Sequence, residues 1–300
     1  MEGKKKKRKI SNLSLFCYVG LLPTMLLYVL FRIIPIFDTL RLSLYSWSVL
    51  ATKNRFIGFD NFSKLFKDKI FITSLVNTTL FTILVVLFSF VLSLALAIML
   101  NNRKMGRFSA VYQLIYFLPV VTPMVPVAVM WKWIYDPQYG LLNYFLSLFG
   151  IPSQAWLIYP NLALYAIVIM SVWKIIGYYM VIFLVGLKNI PKDYYDAASI
   201  DGAVEWQVFR YITLPSLRPI LLYVLVVATI QTYNVFTQVY VMTSDIQGAP
   251  GRLVRVLVYD IYENGFRYFK MGYAAAESVI LLLIVLILTV FEFRLIGKED

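Results

Sequence analysis

The chain has 300 residues, 60% of them hydrophobic and only 15% charged, with a net charge of +12. Soluble domains carry about 25% charged residues, so a mean hydropathy of +0.74 excludes that class and points to an all-α polytopic membrane protein. There is no His, and Cys17 is the one Cys, which leaves no His-based nucleophile or proton relay, no intrachain disulfide and no Cys/His metal site.

The residues Lys4 to Lys9 form an unbroken basic run ahead of the first apolar segment. Beside a membrane such a run is topogenic, so the positive charge is assigned to membrane lipid and not to nucleic acid. A first span is expected over 13–37. It is too long for the apolar part of a signal peptide and has no small-x-small cleavage site, so it is read as uncleaved. Arg32 lies near its far end, where it snorkels. Residues 38–70 are expected as an external loop with interfacial helices, because Trp47, Phe59 and Phe62 interrupt its polar run.

A core of five more spans follows over 71–297. The expected boundaries are 75–100, 110–135, 160–187, 219–242 and 273–296, each long enough to cross about 30 Å of hydrocarbon. Continuous apolar runs, not ten-residue alternation, exclude a transmembrane barrel. The third span carries Pro119, Pro123 and Pro126. These read either as a simple kink or as a broken helix whose freed backbone faces protein or water. Trp156 and Tyr159 are expected as interface anchors, and 243–271 as a polar loop. Six spans place the 1–12 tail and the 298–300 end on one side. The Lys/Arg bias favours that side as cytoplasmic, with 38–70 dissenting. No internal or inverted repeat is visible, so a secondary transporter built on such repeats has no support.

Between the fourth and fifth spans, residues 190–215 are too charged to cross a bilayer and too rich in Ala, Ile, Trp and Phe for an ordinary loop. Pro191 suits a first helical position and Asp193 its positive first turn. Gly202 suits the left-handed end of that helix. A second short helix is expected to carry Trp206, Val208 and Phe209 and to stop at Leu214-Pro215. Two such helices outside the membrane make a docking surface. The chain has no phosphate-binding G-x-x-x-x-G-K-[ST] loop, so ATP hydrolysis is expected elsewhere.

This stretch resembles the coupling motif of binding-protein-dependent ABC importer permeases: Glu-Ala-Ala, three residues, Gly, nine residues, Ile-x-Leu-Pro. Here it reads Asp196-Ala197-Ala198, then Asp201-Gly202, then Ile212-Thr213-Leu214-Pro215, with Asp in place of the leading Glu. Further resemblances fall in order at Gly58-Phe59-Asp60-Asn61-Phe62, Asn77-Thr78-Thr79, Leu118-Pro119, Trp131-Lys132-Trp133, Gly140-Leu141-Leu142-Asn143, Met242-Thr243 with Gly248-Ala249-Pro250, and Gly272-Tyr273-Ala274-Ala275-Ala276. The carbohydrate type is the nearest, in particular the larger-partner permease of maltose, glycerol-phosphate and oligosaccharide importers.

The resemblance implies the type I importer fold in the bacterial inner membrane, a second permease subunit, two ATP-binding subunits that hold ATP and Mg, and an extracytoplasmic solute-binding protein. It also implies a substrate path for an oligosaccharide at Val120, Met124, Ser171, Lys174, Tyr178, Thr232 and Val235, with Gln231, Tyr233, Asn234 and Gln238 as neighbours. Ser171, Lys174 and Tyr178 share one helical face by spacing. Lys174 sits at a span centre, where a charge is functional by default. Two readings stand open for it: pairing with an acid such as Glu277 or a residue of the sister permease, or facing the cavity to favour an anionic sugar. The remaining alternative for the whole chain is a nucleotide-independent transporter or channel.

Overall fold

The computed structural model describes residues 12–48, 54–102, 105–106, 108–243 and 254–296. The basic run, Gly248-Ala249-Pro250 and the 298–300 end lie outside the described residues. Among these, five helices are long and apolar enough to cross a bilayer, and a sixth pair joins them across a 100° bend. The apolar runs fold this way because hydrocarbon offers no partner for a free N–H or C=O, and a helix satisfies both internally.

The first span runs over Asn12–Tyr28 and Ile34–Leu42, joined by a π turn at Val29–Ile33. Pro35 has no N–H for the carbonyl of Phe31, and the Ile34 N–H reaches back to Val29 instead. It runs longer than the expected 13–37, by between one and two helical turns. Within this chain its residues from Phe16 to Phe37 are almost all exposed.

Of the interfacial helices expected in the 38–70 segment, one lies between the first and second spans among the described residues, Asp60–Leu65. Before it, β1 (Tyr45–Ser46) pairs antiparallel with β2 (Arg55–Phe56). Asn61 Nδ2 closes it by donating to Ser43 O (2.8 Å) and Tyr45 O (3.1 Å).

The second span, Lys69–Asn101, is capped by Asp68, whose Oδ1 accepts from Ile70 N at 2.8 Å. It packs chiefly on the fourth, Pro160–Asn189, and Ser93 Oγ donates across that seam to Ile176 O at 2.8 Å. The third span is two helices, Phe108–Val121 and Met124–Ile134. The simple-kink reading fails, because a 100° bend exceeds what one proline imposes on a continuous helix. The fifth is also broken: Arg218–Tyr233, then Thr237–Thr243, with Asn234–Phe236 between. The last is Met271–Ile296.

Three clusters of buried side chains hold these helices together. One joins the second, fourth and fifth spans around Ile167, Met170 and Met242. Another centres on Tyr179, Phe183 and Leu217 towards the 190–216 end. A smaller one ties Leu65 and Phe71 to the last span.

Residues 254–265, expected as part of a plain polar loop, are instead buried or half-buried. Arg255 donates to Asp260 Oδ1 (2.8 Å) and Glu263 Oε2 (2.7 Å), and its side chain is only 6% exposed. Asn77 Nδ2 donates to the Arg255 carbonyl at 3.0 Å, and Leu257 N to Thr78 Oγ1 at 2.7 Å. Charged sequence composition hid this packing, because each charge is buried with its partner. Similarly Trp156, expected at a lipid interface, turns inward and donates to Asn143 Oδ1 at 2.9 Å. Asn143 Nδ2 donates in turn to Gln154 O at 2.9 Å and Asp136 O at 3.1 Å, which closes the 136–156 loop.

Candidate functional site

The breaks in the third and fifth spans and the middle of the fourth line one cavity of about 450 Å³. Its lining contains the seven residues expected on the substrate path, Val120, Met124, Ser171, Lys174, Tyr178, Thr232 and Val235, and three of their four expected neighbours, Gln231, Asn234 and Gln238. A broken helix turns its side chains and backbone into the same space, and so both breaks contribute.

Tyr233 is the exception. It is 4% exposed and packs with Leu257 and Ile280, and its hydroxyl donates to Thr79 Oγ1 at 3.3 Å on the far side of the fifth span. One residue of helix turns a side chain by about 100°, which carries Tyr233 away from the face shared by Thr232 and Val235. The lining also includes Phe81, Val85, Ile175, Phe236 and Thr237, which sequence reasoning passed over. A lone apolar residue in an apolar span carries no signal that distinguishes lining from core.

The polar members are held by their own helices. Ser171 Oγ donates to Ile167 O at 2.7 Å and Thr232 Oγ1 to Ala228 O at 2.8 Å. Asn234 Nδ2 donates to Ile230 O at 2.7 Å, and Gln231 Oε1 accepts from Tyr179 at 3.3 Å. These bonds leave oxygen lone pairs and the remaining amide groups available to hydroxyl groups of a solute.

Lys174 does not pair with Glu277. Its Nζ donates to Thr122 O at 2.7 Å and Pro119 O at 2.9 Å, with Val120 O at 3.5 Å. Glu277 lies in a different place, accepting from Asn264 Nδ2 at 3.0 Å. No salt bridge to Lys174 occurs among the described residues. Gly177, one turn further along, has no side chain for a direct reason: a Cβ there would fall on the backbone carbonyl of Tyr116. The third and fourth spans therefore touch backbone to backbone beside the cavity.

At the other end the 190–216 segment forms an elbow. A helix over Lys192–Ile200 starts after Pro191, which serves as its N-cap and not as the expected first residue. It ends as the glycine predicts. Gly202 has φ +71°, its N–H bonds Ser199 O (3.2 Å), and Ala203 N–H bonds Ala198 O (2.9 Å), the paired reverse bonds of a Schellman turn.

The second arm is longer than expected. A helix over Glu205–Val208 passes through a π turn, Phe209–Thr213, into Leu214–Ser216, so Leu214-Pro215 lies inside it and does not stop it. Pro215 lacks an N–H for Tyr211, and the Leu214 N–H bonds Phe209 O instead, the same accommodation as at Pro35. The Tyr195 and Thr213 hydroxyls join the two arms at 3.2 Å.

Between the arms lies a groove of about 590 Å³ whose lining includes Ala197, Ala198, Asp201, Ala203, Tyr211 and Ile212. Asp196, Ala197, Asp201, Gly202 and Pro215 are exposed, Leu214 is half-buried and Ala198 is buried. Ile200 (87%), Tyr211 (70%) and Trp206 (65%) present apolar surface to solvent at this end.

A bundle of membrane-crossing helices, two of them broken around a polar-lined cavity, with a helical elbow outside, defines a multi-pass transport protein with no metal cluster among the described residues. The chain belongs to the binding-protein-dependent transport system inner membrane component family, whose pattern matches residues 89–295.

It is 33% identical over 277 residues to the trehalose/maltose transport system permease protein MalF of Thermococcus litoralis, covering 92% of each chain. It is 32% identical over 295 residues to the sn-glycerol-3-phosphate transport system permease protein UgpA of Pectobacterium atrosepticum, covering 97% of each. Among solved structures it matches a bacterial ABC transporter involved in import of the acidic polysaccharide alginate, with a TM-score of 0.83 and 26% identity over 94% of this chain and 95% of that one. The same transporter type has been solved in complex with an alginate pentasaccharide-bound periplasmic protein. The fold is thus that of an ABC importer permease, and the protein is a multi-pass component of the inner membrane.

Proposed function

We propose that this chain is one of two permease subunits forming the pore of an ATP-driven, binding-protein-dependent importer of sugars or oligosaccharides. Its elbow, through Asp196, Ala197, Ala198, Asp201, Gly202, Leu214 and Pro215, couples it to two ATP-binding subunits, which hold the ATP and Mg. In this reading the elbow and both termini are cytoplasmic, and a solute-binding protein docks on the opposite face. The observation that carries the reading is the elbow itself. A rigid Schellman-ended helix with exposed apolar side chains on both arms, outside the spans, fits the groove of another protein and is unfavourable in water.

The cavity supports a sugar, having hydroxyl and amide groups in an otherwise apolar and aromatic lining. We further propose an acidic oligosaccharide. The Lys174 charge lines the cavity without a carboxylate partner among the described residues, and the alginate transporter is similar over nearly the whole chain.

The test is uptake by proteoliposomes holding the full transporter, offered maltose, glycerol 3-phosphate and an alginate oligosaccharide. ATP- and binding-protein-dependent uptake of the last is expected. Uptake that needs no nucleotide contradicts the importer reading, whereas ATP-driven uptake of maltose alone contradicts only the acidic one.

A further inference from the structure

The three prolines of the third span and Lys174 of the fourth form one device. In a helix, each carbonyl accepts from the N–H four residues on. Pro123 has no N–H to give Pro119, and Pro126 has none to give Thr122. The two carbonyls left over are the two that Lys174 Nζ engages most closely, at 2.9 and 2.7 Å.

Several observations converge on this match. Lys174 is 8% exposed, in surroundings where an unmet carbonyl and an unpaired ammonium are both costly. The helix Phe108–Val121 points its C-terminal, partly negative end at the ammonium. Gly177 brings the backbone of Tyr116 against the fourth span one turn away, within reach of a lysine side chain. Val120 and Met124, which line the cavity, stand on opposite sides of the break.

We propose that Lys174 is a positioning residue: its ammonium caps the carbonyls that Pro123 and Pro126 leave unmet, and so holds the third span in the bent form that shapes the cavity. Its directed bonds serve the backbone, whatever solute its charge attracts. Without it, two carbonyls lose their partner, and the segment relaxes by straightening or by admitting water, which shifts Met124 against Val120.

Spin labels at Leu118→Cys and Trp133→Cys, both exposed positions on either side of the break, in a Cys17→Ser background, report the bend in the assembled transporter. Lys174→Met is expected to shift the label-to-label distance distribution. Lys174→Arg, with donors for the same carbonyls, is expected to restore the distribution. An unchanged distribution in Lys174→Met overturns the proposal, whatever happens to uptake. If Lys174→Met does not assemble, adding Pro126→Ala returns an N–H to the Thr122 carbonyl. Recovered assembly then supports the proposal, and failure to recover overturns it. The distance is read without transport, so this result stands apart from the solute assignment.

Discussion

The cavity and the elbow are built on opposite terms. Around the cavity the chain itself supplies bonds to Ser171 and Thr232 from their own helices, to Gln231 from Tyr179 and to Lys174 from the broken third span. At the elbow the backbone is equally well satisfied, but Ile200, Trp206 and Tyr211 stand out in solvent with no cover from this chain. The first is a finished site whose geometry is fixed before a solute arrives. The second is, in the function we propose, half of an interface. A permease in our account needs both: a preformed surface for the solute, and a stiff, incomplete one through which movement of another subunit is transmitted.

Variants that disturb one region and spare the other sharpen this contrast. The largest effect is expected from Gly177→Leu, because its side chain must displace the Tyr116 backbone. Overpacking of this kind costs about 1–3 kcal/mol or more, so the melting temperature in detergent falls and uptake is lost, even though the elbow is untouched. Unaltered melting would mean that the third and fourth spans are not in backbone contact.

Asn143→Ala should come next. It removes the amide's donor bonds to Gln154 O, Asp136 O and Pro137 O and leaves Trp156 Nε1 and Gln154 N without their acceptor, a loss of about 1–3 kcal/mol for each buried group left unmet. Faster proteolysis confined to 136–156 is the expected readout, with ATP hydrolysis unaffected. The smallest effect belongs to Asp196→Glu. That carboxylate is exposed on the elbow helix, and one added methylene restores the acid found at this place in the resembling motif. Uptake within about twofold of the parent is expected, since exposed ion pairs are worth about 0–1 kcal/mol. A tenfold loss would show that Asp is specifically required.

Much of this was legible in the chain. Long apolar runs between charged turns marked the helices, since only a helix satisfies its backbone in hydrocarbon. Gly202 marked the end of the elbow helix, since few other residues adopt its φ without strain. The prolines marked the third span for a break, but not its angle, which depends on what the freed carbonyls meet. Their arithmetic was available: Pro123 and Pro126 name Pro119 and Thr122 as the carbonyls left over. What sequence alone withheld was the donor, because Lys174 lies more than 50 residues away and only packing brings it in.

The same limit hid the buried role of Arg255. Its charge reads as loop until Asp260 and Glu263 are seen around it. Gly177 gave no signal either, being one small residue in an apolar run. Tyr233 differs for a local reason: being next to Thr232 in sequence suggests a place beside the path, whereas a helix distributes four consecutive residues all round its axis.

The central claim is that the elbow transmits ATP-driven movement to the spans. It is tested most directly by measuring hydrolysis and uptake together, in the same proteoliposomes, for Gly202→Val. The φ of +71° at this position is strained for valine, by about 1–3 kcal/mol, and the helix end must rearrange. The account predicts that ATP hydrolysis continues while uptake per ATP falls at least about tenfold, the equivalent of about 1.4 kcal/mol. Uptake per ATP equal to that of the parent would contradict it.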